Sequence, residues 1–477
     1  MIATLFNGAF VTENLTEKLL WHASPDRATA PTLRSPRLVF GEALNPPVFI
    51  LPPSALIPPS SVSRHVIIIG GGVIGLSSAL AARRKGLEVT VVDDRPPLHH
   101  GCSFGNAGMI VPSHVVPLAA PGMVALGLKW MWNPESPFYI RPRLSMDLLR
   151  WGYQFWKAST ATRVSAASRL LAALHLDSRR RYEQLAADGL DFGLVQRGLL
   201  MLCQTQQTLD EEAHAAEFVR QLGIPANVLD RTETDSLDPD VHMSVCGAVH
   251  FPLDAHFDPG RFMQSLHRLV QTEGVRILRS KPVTGIEREG RRIRAVRSEN
   301  ETIDGDEFVL AAGSWSTGLG QQLDLSLPMQ PGKGYSLTLP NPRCLPQLCS
   351  ILTEARVALT PMGARLRVGG TMEMSGLNEA ISPKRVQGII RSFVRYFPEF
   401  TEADFEGISP WAGLRPCAPD GLPYLGRTSR FENLTIATGH AMMGMSLGPV
   451  TGEIVGQLLT GEQPAHDLTL VSPDRFG

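Results

Sequence analysis

A stretch of thirty residues, HVIIIGGGVIGLSSALAARRKGLEVTVVDD from His65, constrains the fold of this chain more than any other segment. Its apolar part, Val66 to Ala82, carries no charge, but a membrane-spanning helix needs about 20 apolar residues and three consecutive glycines would weaken one. The pattern instead predicts a strand over Val66 to Ile69, a glycine turn, a helix from about Val73 and a second strand, LEVTVVDD. The segment therefore predicts an α/β fold that begins with a βαβ unit.

The glycines of this unit follow the G-x-G-x-x-G pattern of a dinucleotide-binding turn and are Gly70, Gly72 and Gly75. The first permits the tight turn, the second lets a pyrophosphate approach the backbone, and the third lets helix and strand pack closely. The helix start at Val73 and Ile74 offers unpaired N–H groups to the phosphates, and Asp93 follows the second strand, where a ribose contact belongs. The motif predicts a dinucleotide site, but it does not separate FAD from NAD.

The composition narrows the class of protein. The chain has 477 residues, enough for two to four domain-sized units, and its net charge of −1 argues against a nucleic-acid partner. Its six cysteines form no CxxC pair, so neither a metal site nor a disulfide framework is indicated. A small-molecule enzyme of the cytoplasm is the expectation, with peripheral contact at the inner membrane as an open alternative.

Residues 1–60 differ from the rest of the chain. They contain three proline pairs, show little periodicity and lack the pattern of a signal peptide. Because proline at this density opposes helices and inner strands, we expect an irregular extension. A start codon assigned too early would give the same pattern.

Later blocks of sequence resemble a known family. They include GCSFGNAGMIVPSH from Gly101, PGKGYSLTLP from Pro331, ALTPMGARLRVGGTMEMSG from Ala358, WAGLRPCAPDG from Trp411 and TGHAMMGMSLG from Thr438. Together with the βαβ unit they resemble the D-amino-acid oxidase superfamily of FAD enzymes, and most closely its bacterial D-amino-acid dehydrogenases, over about residues 65 to 462.

The resemblance implies two domains. A Rossmann-like FAD-binding domain would be assembled from residues 62–190, 256–322 and 406–465, and an α+β substrate domain with a mixed, largely antiparallel sheet from 191–255 and 323–405. The local patterns agree with this division: LVQRGLLMLCQTQ is strand-like, TLDEEAHAAEFVRQLG predicts a helix capped by Thr208, and residues 325 to 400 alternate like antiparallel strands before a helix.

The resemblance also assigns cofactor contacts outside the glycine turn. They are Val283, Ala312 and Gly313 at the adenine end, Ser103, Asn106, Ala107 and Gly108 in a loop along the isoalloxazine, and Gly439, His440, Gly444 and Met445 at the start of the last helix. The N-terminus of that helix would stabilise a reduced, anionic flavin. The family usually has glycine where this chain has Ala441, so a local difference in the backbone is possible.

Two residues are candidates for catalysis. Arg415 matches the arginine that holds the substrate carboxylate in this superfamily, and a guanidinium suits this task because it forms two parallel hydrogen bonds and stays charged. Tyr335 matches a tyrosine near the active site, where its phenol would give a second hydrogen bond, but a packed strand tyrosine is an equal alternative. Lys333, His114 and His256 are weaker candidates, and the tryptophan-rich runs around Trp130 and Trp151 are more typical of core than of a membrane-facing helix.

The expected reaction is oxidation of a D-amino acid or a cyclic imino acid, such as D-proline or D-hydroxyproline, by hydride transfer from Cα to flavin N5. Electrons would pass to a quinone or another non-oxygen acceptor, and no dedicated base is required if the amine arrives deprotonated. The alternatives are an oxygen-using oxidase like the glycine and sarcosine oxidases, or a non-catalytic flavin-binding subunit. An NAD-dependent dehydrogenase is disfavoured because the C-terminal motifs would then have no role.

Overall fold

The computed structural model describes residues 63–96, 101–130, 137–143, 145–299 and 301–477. The predicted irregular extension, residues 1–60, lies outside the described residues.

The strands in chain order are β1 His65–Ile69, β2 Glu88–Val92, β3 Met109–Ile110, β4 Phe138–Ile140, β5 Leu199–Cys203, β6 Asn227–Asp230, β7 Gly247–Phe251, β8 Ala255–His256, β9 Arg276–Leu278, β10 Val283–Glu289, β11 Arg292–Ser298, β12 Glu301–Asp304, β13 Glu307–Leu310, β14 Gln330–Leu339, β15 Cys349–Leu352, β16 Val357–Met362, β17 Arg365–Met374, β18 Trp411–Cys417, β19 Tyr424–Arg427 and β20 Leu434–Thr438. The helices are α1 Val73–Arg84, α2 Met123–Trp130, α3 Met146–Ala158, α4 Ala161–Ala187, α5 Gln206–Gln221, α6 Arg231–Leu237, α7 Pro259–Thr272, α8 Ser316–Gln321, α9 Pro383–Tyr396 and α10 Gly444–Thr460. The fold class is α/β, as the sequence predicts.

A six-stranded sheet contains the predicted βαβ unit. Its order is β19-β20-β13-β1-β2-β9, and every pair is parallel except β19 with β20. Helix α10 packs on α1 so closely that a Cβ on Gly452 would lie 2.5 Å from the Ser77 carbonyl oxygen. This packing brings the N-termini of both helices, at Val73 and Gly444, to one cavity.

A nine-stranded sheet forms the second layer. Its order is β18-β14-β17-β16-β15-β5-β7-β6, with β4 added beside β17, and it is mixed but mainly antiparallel, as predicted. Helix α9 covers one face with an apolar stripe that includes Ile389 and Phe393. A three-stranded antiparallel sheet, β10-β11-β12, is inserted between β9 and β13 of the six-stranded sheet.

Two details differ from the sequence predictions. Strands β4 and β18 belong to the nine-stranded sheet, although they fall in the ranges 62–190 and 406–465 assigned to the FAD-binding domain, because they pair with β17 and β14. Helix α5 is capped by Thr205 and not by Thr208: Thr205 has an extended backbone, and its side chain accepts a hydrogen bond from the Thr208 N–H. The predicted helix was therefore correct and its cap was placed three residues too late.

Candidate active site

A cavity of about 410 Å³ opens at the carboxyl ends of β1, β2 and β13 and extends toward β18 of the nine-stranded sheet. The carboxyl edge of parallel strands is where α/β sheets bind dinucleotides. The predicted cofactor residues that line it are Gly70, Gly72, Val73, Ile74, Asp93, Ser103, Asn106, Val283, Ala312, Gly313, Gly439, His440, Gly444 and Met445. Those that do not line it are Gly75, Ala107 and Gly108.

The three glycines of the turn differ in their surroundings: Gly70 and Gly75 lie against protein atoms, whereas Gly72 faces open space. Gly70 has a φ of +110°, and a Cβ on Gly75 would lie 1.8 Å from the Gly70 carbonyl oxygen, so both positions exclude a side chain. A Cβ on Gly72 would meet only the Ser103 Oγ, at 3.5 Å. Among the described residues no atom requires glycine at position 72, and the room beside its backbone belongs to the cavity and fits a pyrophosphate.

The N-terminus of α1 faces the same room. Its N-cap, Gly72, has no side chain to cap the helix, and the Val73 N–H donates to the Ser103 Oγ at 3.1 Å. Unpaired N–H groups and the positive end of the helix dipole favour an anion here.

Asp93 is held firmly at the end of β2. Its carboxylate accepts hydrogen bonds from the Gly71 N–H at 2.6 Å and the Arg95 N–H at 2.8 Å, and its Oδ2 lies 3.1 Å from the Arg279 Nη1. Burial and the charge of Asp93 raise the pKa of the neighbouring Asp94 carboxyl. A carboxylate oriented in this way is suited to accept ribose hydroxyls. Sequence reasoning missed Arg279, which comes from the loop after β9.

The loop 103–108 is fastened to the nine-stranded sheet by three consecutive carbonyl groups. The Arg367 Nη1 donates to the Phe104 carbonyl at 3.1 Å and to the Asn106 carbonyl at 2.7 Å, and the Ser336 Oγ donates to the Gly105 carbonyl at 3.2 Å. Burial lowers the pKa of the Arg367 guanidinium to about 10, so it remains charged at neutral pH. The sheet thus fixes the backbone of a loop that contributes to the cavity wall.

The N-terminus of α10 forms another part of the cavity wall. Its N-cap, Met443, makes no side-chain cap, so the first N–H groups of the helix are left to a ligand. His440 is buried, its Nε2 lies 3.0 Å from the Thr451 Oγ1, and burial lowers its pKa to about 3. The ring is therefore neutral and structural. Ala441 has a φ of +48°, the left-handed region in which glycine is favoured, so alanine adopts this backbone shape in place of glycine.

Arg415 lies on β18 directly across from Gly332 of β14. Its neighbours Leu414 and Pro416 line the cavity, and its charge lowers the pKa of the Cys102 thiol, which also lines the cavity, against the larger raising effect of burial. The half-buried guanidinium donates to the Thr371 carbonyl through Nη1 at 2.7 Å. Among the described residues it has no carboxylate partner.

Tyr335 is placed away from Arg415. It packs in the core beneath α9, and its hydroxyl donates to the Glu373 Oε2 at 2.6 Å. The Lys333 Nζ lies 3.2 Å from the Glu373 Oε1. Because alternate residues of a strand point to opposite faces, Tyr335 and Lys333 lie on the face opposite Gly334, which faces the Arg415 guanidinium. The structure thus does not bring these two residues together with Arg415.

Residues 65–458 match the sequence profile of the DAO family, described as FAD dependent oxidoreductase. The chain belongs to this family. The D-amino acid dehydrogenases of Granulibacter bethesdensis and Bradyrhizobium diazoefficiens are each 32% identical to it, over 84% and 86% of this chain and 97% and 98% of those proteins. Glycine oxidase from Geobacillus kaustophilus superposes with a TM-score of 0.70 at 23% identity, covering 87% of this chain and all of that one.

Membership of the DAO family makes FAD the cofactor of this chain and excludes the NAD-dependent alternative. The glycine turn with the N-terminus of α1 fits the phosphates, the oriented Asp93 fits the ribose, and the N-terminus of α10 fits an anionic ring system. The described residues contain no cluster of side chains that could hold a metal ion. All six cysteines are free.

The two weaker histidine candidates of this DAO-family chain are buried and neutral. The His114 Nδ1 lies 2.8 Å from the Ser113 Oγ, which donates to the Asp254 Oδ2, and burial lowers the pKa of His114 to about 3. His256 lies on β8 and pairs with Met109 of β3, and burial lowers its pKa to about 4. His256 joins the segment after the loop 103–108 through the β3–β8 pair, whereas His114 contacts its neighbour Ser113, which bonds Asp254.

The aromatic helix α3 is only partly core. Trp151 is buried, stacks on Phe155 at 5.1 Å, and donates from its Nε1 to the Cys417 carbonyl at 2.9 Å. Tyr153 and Trp156 are 62% and 63% exposed, so the prediction of core is wrong for these two rings. Within the part of the chain that the structure describes, no helix is both long and apolar enough to cross a membrane.

Proposed function

We propose that this chain is a dehydrogenase that oxidises a D-amino acid or a cyclic imino acid such as D-proline or D-hydroxyproline, and passes the electrons to a quinone or another non-oxygen acceptor. One observation carries the proposal. The Arg415 guanidinium sits beside the FAD cavity, bound to a single backbone carbonyl and without a carboxylate partner among the described residues. A half-buried guanidinium with free donors is suited to bind a substrate carboxylate through two parallel hydrogen bonds.

FAD supplies the hydride acceptor when it is bound. The contribution of the protein is to hold the carboxylate at Arg415, so that the substrate Cα–H is oriented toward the cofactor, and to exclude water from the contact. Two of the described ionisable side chains that line the cavity, His440 and Cys102, are poorly suited to act as a base. The pKa of His440 is far below neutrality and its Nε2 is engaged by Thr451, while burial keeps the Cys102 thiol protonated. No dedicated base is required if the amine arrives deprotonated from solvent.

The nature of the acceptor separates the proposal from its nearest rival, an oxygen-using oxidase. The dehydrogenases named above match at 32% identity, whereas the glycine oxidase, at 23%, supports only the fold. The purified enzyme is first reduced by a D-amino acid without air and then mixed with oxygen. Its flavin should stay reduced for much longer than one catalytic turnover takes, and it should reoxidise when a soluble quinone is added. Immediate reoxidation by oxygen would favour the oxidase.

The carboxylate role of Arg415 is tested by Arg415→Leu. The variant should retain its yellow FAD, since its proposed contact is to the substrate, and kcat/KM for a D-amino acid should fall at least about a hundredfold because a charged hydrogen bond is worth roughly 1.5–3 kcal/mol and an unpaired carboxylate costs more. Arg415→Lys should recover only part of the loss, since lysine lacks the planar fork. Steady-state kinetics with a dye acceptor measure the effect.

Arg297→Leu is the control for Arg415→Leu. Arg297 is an exposed arginine on β11 that pairs with Glu287, away from the cavity, so its loss should leave kcat/KM unchanged. An Arg415→Leu enzyme with near-normal kcat/KM would contradict the proposal, and a non-catalytic flavin-binding subunit would then become the better description.

The exposed apolar face of α3 supports peripheral contact with the membrane, where quinones reside. This face consists of Met146, Leu149, Tyr153 and Trp156, spaced so that they lie along one side of the helix. Sedimentation with lipid vesicles tests this part of the proposal, and Trp156→Gln should lower the bound fraction.

A further inference from the structure

Gly334 of β14 lies directly beneath the Arg415 guanidinium. A Cβ built on Gly334 would be 2.3 Å from the Arg415 Nη2 and 2.5 Å from its Cζ and Nη1. Contacts shorter than about 3.0 Å do not occur between a Cβ and another heavy atom without a shift. The guanidinium can therefore rest on this strand only because position 334 has no side chain.

The backbone does not require glycine at this position. Gly334 is not among the glycines with a positive φ, and it pairs regularly with Gly413 of β18. Any residue can adopt an extended strand conformation. The atoms that a new Cβ would meet first belong to the far end of a flexible arginine, which can move, so alanine at 334 is compatible with the fold but not with the observed place of the guanidinium.

Thr371 of β17 provides a second contact to the Arg415 guanidinium. The pairing of β14 with β17 slips between Lys333 and Tyr335, and Thr371 lies in this irregularity with a φ of +64°. A β-branched residue rarely adopts that conformation, and strain of this kind persists only where the surroundings enforce it. Here the bulge directs the Thr371 carbonyl to the Arg415 Nη1 at 2.7 Å.

We propose that Gly334 is a positioning residue for substrate binding: its missing side chain and the Thr371 bulge together fix the Arg415 guanidinium flat on the sheet as a preformed receptor for a carboxylate. The inference rests on the proposed role of Arg415 and adds how that role is set. A preformed receptor binds more tightly because less side-chain freedom is lost when the ligand arrives. The glycine acts on affinity for the carboxylate and not on the cofactor.

The test uses the FAD-loaded enzyme and Gly334→Ala. The added methyl should lift the guanidinium from the Thr371 carbonyl, so KM for the D-amino acid should rise at least about tenfold while kcat changes less than about threefold. A readout without turnover is the Kd for benzoate, a simple carboxylate, measured by calorimetry. This Kd should rise by a similar factor, whereas the weak binding of uncharged benzamide should not change.

A double-variant comparison separates positioning from general damage. In an Arg415→Leu background the atoms that clash with the new methyl are absent, so Gly334→Ala should change the benzoate Kd by less than about twofold, and any fall in Tm caused by the single change should be restored. Gly152→Ala in α3 is the matched control, because a Cβ there meets no atom within 4 Å, and it should behave as wild type.

Each outcome decides between the two proposals. If Arg415→Leu weakens benzoate but Gly334→Ala does not, the positioning role is wrong and the function of Arg415 stands. If neither change weakens benzoate, the proposed function itself fails. If Gly334→Ala weakens benzoate equally with and without Arg415, the glycine acts on the fold and the positioning role is overturned.

Discussion

At the scale of single residues, the glycines of the dinucleotide turn have different reasons to be glycine. Gly70 has a positive φ that favours glycine, and any side chain at position 75 would place its Cβ against the Gly70 carbonyl oxygen. Gly72 has an extended backbone, with φ −73° and ψ −176°, that any residue can adopt, and little around it opposes a side chain. A change at Gly72 therefore tests the cofactor site with little effect on the fold, which a change at Gly75 cannot do.

Gly72→Val should give a folded but colourless protein. The valine side chain would fill the space where the pyrophosphate approaches the backbone, while Tm of the apoprotein should shift by no more than about 3 °C, the effect of a change below about 1 kcal/mol. The ratio of flavin absorbance to protein absorbance measures FAD content. Gly75→Ala, by contrast, should reduce soluble yield. A Gly72→Val protein purified fully yellow would show that the pyrophosphate lies elsewhere.

At the scale of elements, side chains of β14 and β17 form hydrogen bonds with the loop 103–108. Ser336 and Arg367, one from each strand, donate to the carbonyls of residues 104 to 106. Since three successive carbonyls face the sheet, the loop conformation depends on side chains that are more than 200 residues away in the chain. The nine-stranded sheet therefore fixes part of the wall of the proposed FAD cavity and, in our proposal, also carries the carboxylate-binding Arg415.

Arg367→Gln should weaken FAD binding by about tenfold, because hydrogen bonds from a charged donor are worth roughly 1.5–3 kcal/mol and glutamine recovers part of them. The dissociation constant follows from fluorescence titration of the apoprotein with FAD. Arg365→Gln is the matched control: Arg365 lies two residues earlier on β17, and its guanidinium pairs with Asp258. Equal FAD affinity for wild type and Arg367→Gln would show that the loop holds its shape without the sheet.

Local patterns predicted the elements well and the distant contacts poorly. The βαβ unit, the strand alternation of residues 325 to 400 and the glycine turn are local, so periodicity and turn chemistry reveal them. The contacts of Arg279 with Asp93 and of Arg367 with the loop depend on which strands become neighbours, and no local pattern encodes this. Tyr335 illustrates the same limit: its match to a tyrosine near the active site left a second hydrogen bond to the carboxylate and a packed strand tyrosine as equal alternatives, and only the pleat of β14 shows that it lies on the face opposite Arg415.

At the scale of the whole molecule, several histidines are buried without charge. Burial lowers the pKa of His114, His175 and His440 to about 3 and that of His256 to about 4, from an ordinary value of 6.5. Such groups contribute their full stability above pH 6.5, and this contribution is lost as the pH falls toward their lowered pKa values. The reason is that the imidazoles of the unfolded chain bind protons in this range, whereas the buried imidazoles of the folded chain do not. Burial raises the pKa of Asp254 to about 7, which has the opposite effect: its contribution is present at low pH and is lost as pH rises through 7.

Four histidines outweigh one aspartate, so Tm of the enzyme should fall between pH 7.5 and pH 5.0. Scanning calorimetry at constant ionic strength measures the slope. His175→Asn should make the slope shallower, since an amide can keep the hydrogen bond that the His175 Nδ1 shares with the Ser446 Oγ but does not titrate. A Tm that stays level or rises on acidification would mean that these rings become charged inside the fold.

The order of elements along the chain also bears on how the protein is made. Strand β20 lies between β19 and β13 in the six-stranded sheet, and α10, which follows it, supplies one wall of the FAD cavity. Both elements follow β1, β2 and β13 in chain order, so during synthesis from the N-terminus they leave the ribosome after the strands that they complete. A nascent chain can therefore form the glycine turn early, but it cannot enclose FAD until residues 434–460 have emerged, so capture of the cofactor waits for this part of the chain.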